Sequence, residues 1–284
     1  MTPSDSGSDP SRDLGFDRPH SARMYDYYLN GKTNYEVDRQ GAEEALKAWP
    51  AARSAARANR SFMHRAVQVL TGAGFTQFLD IGTGIPTSPN LHEVAQGVHP
   101  EARVVYADND PIVLTHARAL LESTADGRTA YVEGDITEPD GILGAPDLAR
   151  TLDLNQPVAL SINAVLHFVP DDRDPYGIVS HLLSALPAKS ALFLSHVTAD
   201  IDPTGVGRLV DVYNARGVPT RARSRDEVAR FFTGLDLMDP EVALAHKWRP
   251  DVSVPVPAGA VIPKPRRAPS DDEVSLWAGV ALKP

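Results

Sequence analysis

The stretch FLDIGTGIPT, residues 78–87, decides how the chain is read. A short apolar run leads into Asp80, and Gly82 and Gly84 follow at once. Glycines placed there let the backbone turn sharply and let a ligand approach where a Cβ would otherwise stand. An ordinary turn between a strand and a helix can use the same residues. Two details narrow the reading. A carboxylate at position 80 repels a pyrophosphate but attracts an ammonium or sulfonium group. The third glycine of the dinucleotide fingerprint is missing, and Thr87 stands in its place.

Outward from this stretch, short apolar runs alternate with helical segments. ARVVYA (102–107), RTAYVEG (128–134), PVALSINAV (157–165) and SALFLSHV (190–197) read as strands. Helices are predicted over 89–96, from Asp110-Pro111 onward and over 176–186, with Asp110 as N-cap and Pro111 at the first helical position. This rhythm predicts right-handed βαβ units and a parallel sheet. Later segments are a helix over 206–215, a capping box at Ser224 and Glu227, a strand within 235–248 and a last edge or antiparallel strand over 275–282. Residues 250–270 are rich in proline and read as a surface loop. The insert that separates Asp80 from Asp108 is expected in the helix and loop over 92–101.

Residues 18–73 read as three helices that form an N-terminal cap, residues 74–284 as the α/β domain, and residues 1–17 as a disordered tail with almost no apolar side chains.

Four consecutive strand tips carry polar groups: Asp80, Asp108, Asp135 and Asn163. In an open parallel sheet, ligands bind at the carboxyl ends of the strands. Asp108 can take both hydroxyls of a ribose, or serve as a solvated loop acid. Within Glu133-Gly134-Asp135-Ile136 an acid can accept the amino group of an adenine, or the four residues form a simple turn. His167, just beyond the fourth strand, is the candidate general base. Asn163 is the candidate for orienting a nucleophile.

The 284 residues carry a net charge of −9, with 42% apolar and 23% charged side chains and no cysteine. That composition fits a folded domain rather than a disordered chain. It also disfavours a non-specific nucleic-acid binder. A disulfide scaffold, a thiolate metal site and a cysteine nucleophile are excluded outright. No membrane span and no leader sequence are read, so the expected location is cytoplasmic. No metal is expected, because no His/Asp/Glu set has ligand spacing. Arg221, Arg223 and Arg225 read as a solvated basic run, or as a contact for an anionic substrate.

With these tips in order, the segment over 75–197 resembles the class I S-adenosylmethionine-dependent methyltransferases. More narrowly, SARMYDYYLNGKTNYEVDRQ (21–40), LDIGTGIPTSPNLHEVAQ (79–96) and WRPD (248–251) are similar to a bacterial S-adenosyl methyltransferase family whose acceptors are largely unassigned. The resemblance implies an α/β, Rossmann-like, seven-stranded and mostly parallel sheet with a helical cap, and S-adenosyl-L-methionine as cofactor. It places the glycine motif on Asp80, Gly82, Thr83 and Gly84. It places the ribose acid on Asp108 with Asn109 beside the adenine, and the adenine site on Gly134, Asp135 and Ile136. Asn163 would face the methyl group. The N-terminal stretch would be a lid, with Arg23 on a carboxylate of cofactor or substrate and Tyr25, Tyr28, Asn34 and Tyr35 shaping the acceptor pocket. A solvated amphipathic helix is the plainer account of that stretch. The implied activity is direct methyl transfer to the oxygen or nitrogen of a small-molecule acceptor. A homodimer is only a guess from the fold class. Two rivals remain at this level: a protein that binds the cofactor without catalysis, and a nicotinamide-dependent oxidoreductase.

Overall fold

The computed structural model describes residues 17–120, 123–255 and 267–284. The expected tail therefore lies outside the described residues except for Asp17, and so do residues 256–266 of the proline-rich loop.

The chain opens with helices α1 (Ser21–Tyr28), α2 (Glu36–Ala48) and α3 (Ala52–Gly72). The alternating part follows: β1 (Gln77–Ile81), α4 (Leu91–Gln96), β2 (Arg103–Asp108), α5 (Pro111–Leu120) and β3 (Arg128–Glu133). Two short helices, α6 (Pro139–Leu143) and α7 (Pro146–Thr151), precede β4 (Ala159–Asn163). Then come α8 (Pro175–Ser184), β5 (Ala191–Val197), α9 (Pro203–Ala215) and α10 (Arg225–Ala229). The chain finishes with β6 (Asp236–Leu237), β7 (Ala243–Leu244) and β8 (Leu276–Leu282).

The sheet order is β3-β2-β1-β4-β5-β8-β6, with β7 also paired to β8. The first five strands are parallel, and β8 runs antiparallel to β5. The last strand is thus interior, flanked by β5 on one side and by β6 and β7 on the other. Both of those short strands pair antiparallel with β8, at Leu282 and Ala281 and at Ala278 and Trp277 respectively. They are two pieces of one edge position, so the sheet is seven strands wide, as the resemblance implied.

The chain builds β1, β2 and β3 in one direction and then returns to the other side of β1 for β4. That reversal opens a crevice at the carboxyl ends of β1 and β4, where open α/β sheets bind ligands. Alternate strand residues enter different cores, because successive side chains point to opposite faces. Phe78, Val104, Tyr106 and Phe193 join the core under α3, α4 and α9, whereas Leu79, Val105, Leu192 and Leu194 join the core under α7 and α8. Both faces are covered, so the strands read as continuous apolar runs rather than alternating ones.

Helix α4 is shorter than predicted and begins at Leu91, capped by Asn90 and Glu93. The extra length before Asp108 therefore sits largely in the loop over 82–90, ahead of the helix, where Pro86 and Pro89 interrupt helical backbone. Arg60 of α3 donates to the carbonyls of Thr87 and Pro89 in this loop, and His64 Nε2 lies 2.8 Å from Pro89 O. Burial depresses the His64 pKa to about 3, so its ring is neutral.

Helix α3 also grips the C-terminal part. Arg65 donates to Trp248 O at 2.9 Å and to Ala245 O at 2.6 Å, and Phe62 meets the Trp248 ring edge-on at 5.4 Å. The run at 221–225 is not uniformly solvated. Arg223 is buried and donates to Leu166 O, Val169 O and Asp171 Oδ1, which fixes the turn beyond β4 from behind.

Arg23 has a similar bracing place. It is 2% exposed, and its Nε donates at 3.1 Å to Asp38, which is fully buried. Replacing it with Ala leaves that carboxylate buried without its cation, a loss of about 3–5 kcal/mol. Urea denaturation of Arg23→Ala should show a markedly lower midpoint. Arg23→Lys should recover little, because an ammonium cannot reproduce the guanidinium fork.

Candidate active site

At the tip of β1, Gly82 and Gly84 both have positive φ, at +70° and +66°, which side-chain-bearing residues rarely adopt. They differ in what surrounds them. A Cβ on Gly82 would stand 2.3 Å from Val165 Cγ2, whereas a Cβ on Gly84 would meet nothing within 4 Å. The first glycine allows the β1 and β4 tips to pack together. The second lines the crevice with open backbone.

Both oxygens of Asp80 already accept hydrogen bonds, from Ser161 Oγ at 2.5 Å and Thr83 Oγ1 at 2.8 Å. Burial raises its carboxyl to about 6, against the opposing pull of those two hydroxyls and of Arg60. Asp108 is 5% exposed and accepts from Gly84 N and Asp110 N, each at 2.9 Å. Its carboxylate is therefore engaged in fixing the glycine loop rather than left free. Each oxygen still has a second lone pair. Burial raises the Asp108 pKa as well. Asp110 accepts from Ile112 N at 2.9 Å, as its predicted capping role requires.

At the third tip, Asn109 Nδ2 donates to Asp135 Oδ2 at 2.9 Å, tying β2 to β3. Burial pushes the Asp135 pKa up, but hydrogen bonds from Thr137 and Asn109 outweigh it and hold the carboxyl below its ordinary value. Gly134 is required by packing, since a Cβ there would lie 2.6 Å from Ile142 Cγ1.

Beyond β4 the backbone turns through Ala164 at φ +55°, an uncommon conformation for alanine. The Ala164 N–H is held by Ser195 O at 3.2 Å and Ser195 Oγ at 3.0 Å. This turn presents Asn163 and His167. Asn163 donates through Nδ2 to Ser161 Oγ at 2.8 Å, while its Oδ1 is buried without a partner among the described residues. His167 Nδ1 is likewise buried without a partner. Burial, with His196 and Arg223 nearby, drives the His167 pKa well below its usual value, so the ring is neutral.

These tips line one cavity of about 430 Å³, within the usual range for a small-molecule site. Asp80, Gly82, Thr83, Gly84, Asp108, Asn109, Gly134, Asp135, Ile136, Asn163 and His167 all line it, as do Tyr25 and Tyr28 from α1. Arg23, Asn34 and Tyr35 are not among the residues that line it. Arg23 is turned toward Asp38, Asn34 Nδ2 bonds Asp26 Oδ2 at 2.7 Å, and Tyr35 N donates to Asp38 Oδ2 at 2.9 Å at the start of α2. These three build the cap and its turn.

The sequence reading missed several liners: His20, Trp49, Asn59, Arg60, Phe168, Arg173 and Tyr213. Asn59 connects Tyr25 to Ser195, donating to the Tyr25 hydroxyl at 3.0 Å and accepting from Ser195 Oγ at 2.5 Å. The helical spacing of Ala52, Ala55, Ala56, Asn59 and Met63 would have marked one face of α3, but nothing local says that this face meets a cavity.

The residues present fit an adenosyl sulfonium compound. The acid tips converge on a single cavity, and the open cradle over Gly84 leaves room for a ligand against the backbone. Among the described residues, no group of three His, Asp or Glu side chains could hold a metal ion. No described helix is long and apolar enough to cross a membrane.

The chain matches two solved structures over nearly their whole length. One is a DUF574 family protein from Streptomyces avermitilis, 48% identical, covering 95% of this chain and 100% of that chain at a TM-score of 0.88. The other is a proposed methyltransferase from Thermobifida fusca, 36% identical, covering 97% of this chain and 99% of that chain at a TM-score of 0.83. No curated protein matches the chain. A family model described as S-adenosyl methyltransferase matches residues 7–284, and on that match over most of its length the chain belongs to the S-adenosyl methyltransferase family.

Proposed function

We propose that this S-adenosylmethionine-dependent methyltransferase acts on a small-molecule acceptor by direct displacement within the cavity at the strand tips. The observation that carries this reading is the convergence of Asp80, Asp108 and Asp135 on one cavity whose floor includes the open Gly84 cradle. Asp80 would face the ammonium of the methionyl part. Asp108 would take the ribose hydroxyls with its remaining lone pairs, and Asn109, Asp135 and Ile136 would border the adenine. When bound, the cofactor supplies a methyl group on a positively charged sulfur.

The chain's own work is orientation and exclusion of water, which can account for roughly 7–11 kcal/mol of a barrier. Helices α1 and α3 close the cavity from above with Tyr25, Tyr28 and the alanines of α3. Asn163 and His167 stand at the fourth tip beside the acceptor. A neutral His167 accepts a hydrogen bond from the attacking group and holds it in line. A nicotinamide cofactor suits the site less well, since the carboxylate of Asp80 would oppose its pyrophosphate.

Calorimetry tests the cofactor assignment: heat of binding with S-adenosylmethionine and S-adenosylhomocysteine and none with NAD is expected, and the reverse overturns it. The two glycines should separate under mutation. Gly82→Ala forces a methyl into Val165 and strains the backbone, so it should lower stability by several kcal/mol on the scale of overpacking plus strain. Gly84→Ala carries only the strain, about 1–2 kcal/mol. It should weaken S-adenosylmethionine at least tenfold while the protein stays folded.

Asp80 gives a pH dependence with two opposite signs. Its folded pKa, about 6, lies above the unfolded value near 4. Its contribution to stability is therefore complete below pH ~4 and is lost as pH rises from ~4 to ~6. Cofactor binding needs the ionised carboxylate, so affinity should rise through pH ~6 and then level off. Titration calorimetry between pH 5 and 8 checks this, and Asp80→Asn should flatten the profile.

A further inference from the structure

Away from the strand tips the cavity changes character. Its second half is walled by Tyr25 and Tyr28, by the face of α3 that carries Ala52, Ala55 and Ala56, and by Phe168 and Tyr213. The alanines occupy little volume, so this face of the helix is nearly smooth. Phe168 and Tyr213 are stacked, with ring centroids 5.9 Å apart and planes inclined by 21°. Flat rings favour offset stacking and edge contacts with other flat rings.

The charged and ionisable liners are accounted for elsewhere. Arg60 is bonded to the carbonyls of Thr87 and Pro89, His20 lies 3.2 Å from Asp110, and Arg173 acts on the carboxyl of Asp135. Asp80 and Asp108 belong to the β1 and β2 tips. Asn59, which also lines this half, is satisfied at both ends by Tyr25 and Ser195. Carbonyls do not neutralise Arg60, whose positive charge acts on Tyr25, so a cationic acceptor entering this half would lose its hydration and meet a like charge.

The remaining hydrogen-bonding capacity is small and specific. Asn163 Oδ1 and His167 Nδ1 are buried without partners among the described residues. An unmet buried polar atom of this kind costs on the order of 1–3 kcal/mol, which a donor reaching it would recover. Tyr28 and Tyr213 share one hydrogen bond between their hydroxyls, at 2.9 Å.

We infer that the methyl acceptor is a flat ring compound without positive charge, with a hydroxyl or N–H at the edge that is methylated. The inference rests on the methyl-transfer reading above. In the transfer, the lone pair of the acceptor's oxygen or nitrogen forms the new bond to the methyl carbon. The sulfur–methyl electron pair stays on sulfur, which becomes a neutral thioether, and the acceptor's proton leaves to water.

The test uses the full chain saturated with S-adenosylhomocysteine, with calorimetric binding of 2-naphthol, 2-naphthylamine and spermidine. Either or both of the first two should bind at least tenfold more tightly than the polyamine. Ala55→Leu narrows the α3 wall and should weaken ring binding at least tenfold, while S-adenosylhomocysteine binds within twofold of wild type. With S-adenosylmethionine present, the mass of the product should rise by one methylene, and fragmentation separates oxygen from nitrogen. Equal or tighter binding of spermidine, or ring binding indifferent to Ala55→Leu, overturns this inference alone. Failure of S-adenosylhomocysteine to bind overturns the cofactor reading and this inference with it.

Discussion

The carboxylate of Asp108, accepting from Gly84 N and Asp110 N at 2.9 Å each, holds the site in shape. It fastens the glycine loop of one strand to the tip of its neighbour. Asp80 does the equivalent between β1 and β4 through Ser161, and Asn109 with Asp135 between β2 and β3. Each acid thus has a structural bond before any ligand arrives. The result is a preorganised row of acids within one cavity. Burial, with a smaller push from a neighbouring carboxylate, holds the carboxyls of Asp80 and Asp108 above their ordinary range. A cationic ligand relieves what the fold imposes.

The cap is held to this arrangement by contacts that cross the sequence. Arg60 and His64 hold the loop after β1, and Arg65 holds the backbone at Ala245 and Trp248. One helix therefore braces the loop after β1 and the C-terminal segment together. Helix α2 is pinned to α9 through Trp49 Nε1, which donates to Asp202 Oδ2 at 3.1 Å. The apolar side chains of α3 and of the sheet lie in a single core.

Much of this was legible from local patterns. The apolar runs ending in Asp80, Asp108, Glu133 and Asn163 located the parallel strands, because both faces of such a sheet are buried. Punctuation by Asp110-Pro111 and Ser224…Glu227 fixed helix starts through hydrogen bonds made within a few residues. The glycine pair located the turn, though not that a Cβ would be blocked by Val165 at one glycine and meet open space at the other. That distinction depends on Val165, which lies in the turn beyond β4, more than eighty residues later. The polar groups of α1 were harder, since Arg23 and Tyr25 lie two residues apart and point to different places. Arg223 was read as solvated because its partners, Leu166 O, Val169 O and Asp171, lie more than fifty residues earlier. Local sequence carries no trace of such pairings.

The placement of the three tryptophans gives the molecule optical reporters of its own. Trp49 borders the cavity, Trp248 is wholly enclosed beneath α3, and Trp277 sits on β8 with its indole bonded to Asp200. Emission from the first is set to register what enters the chamber. Emission from the second changes only when the interior itself comes apart. Occupancy and unfolding are thereby written into separate chromophores of a single unlabelled chain.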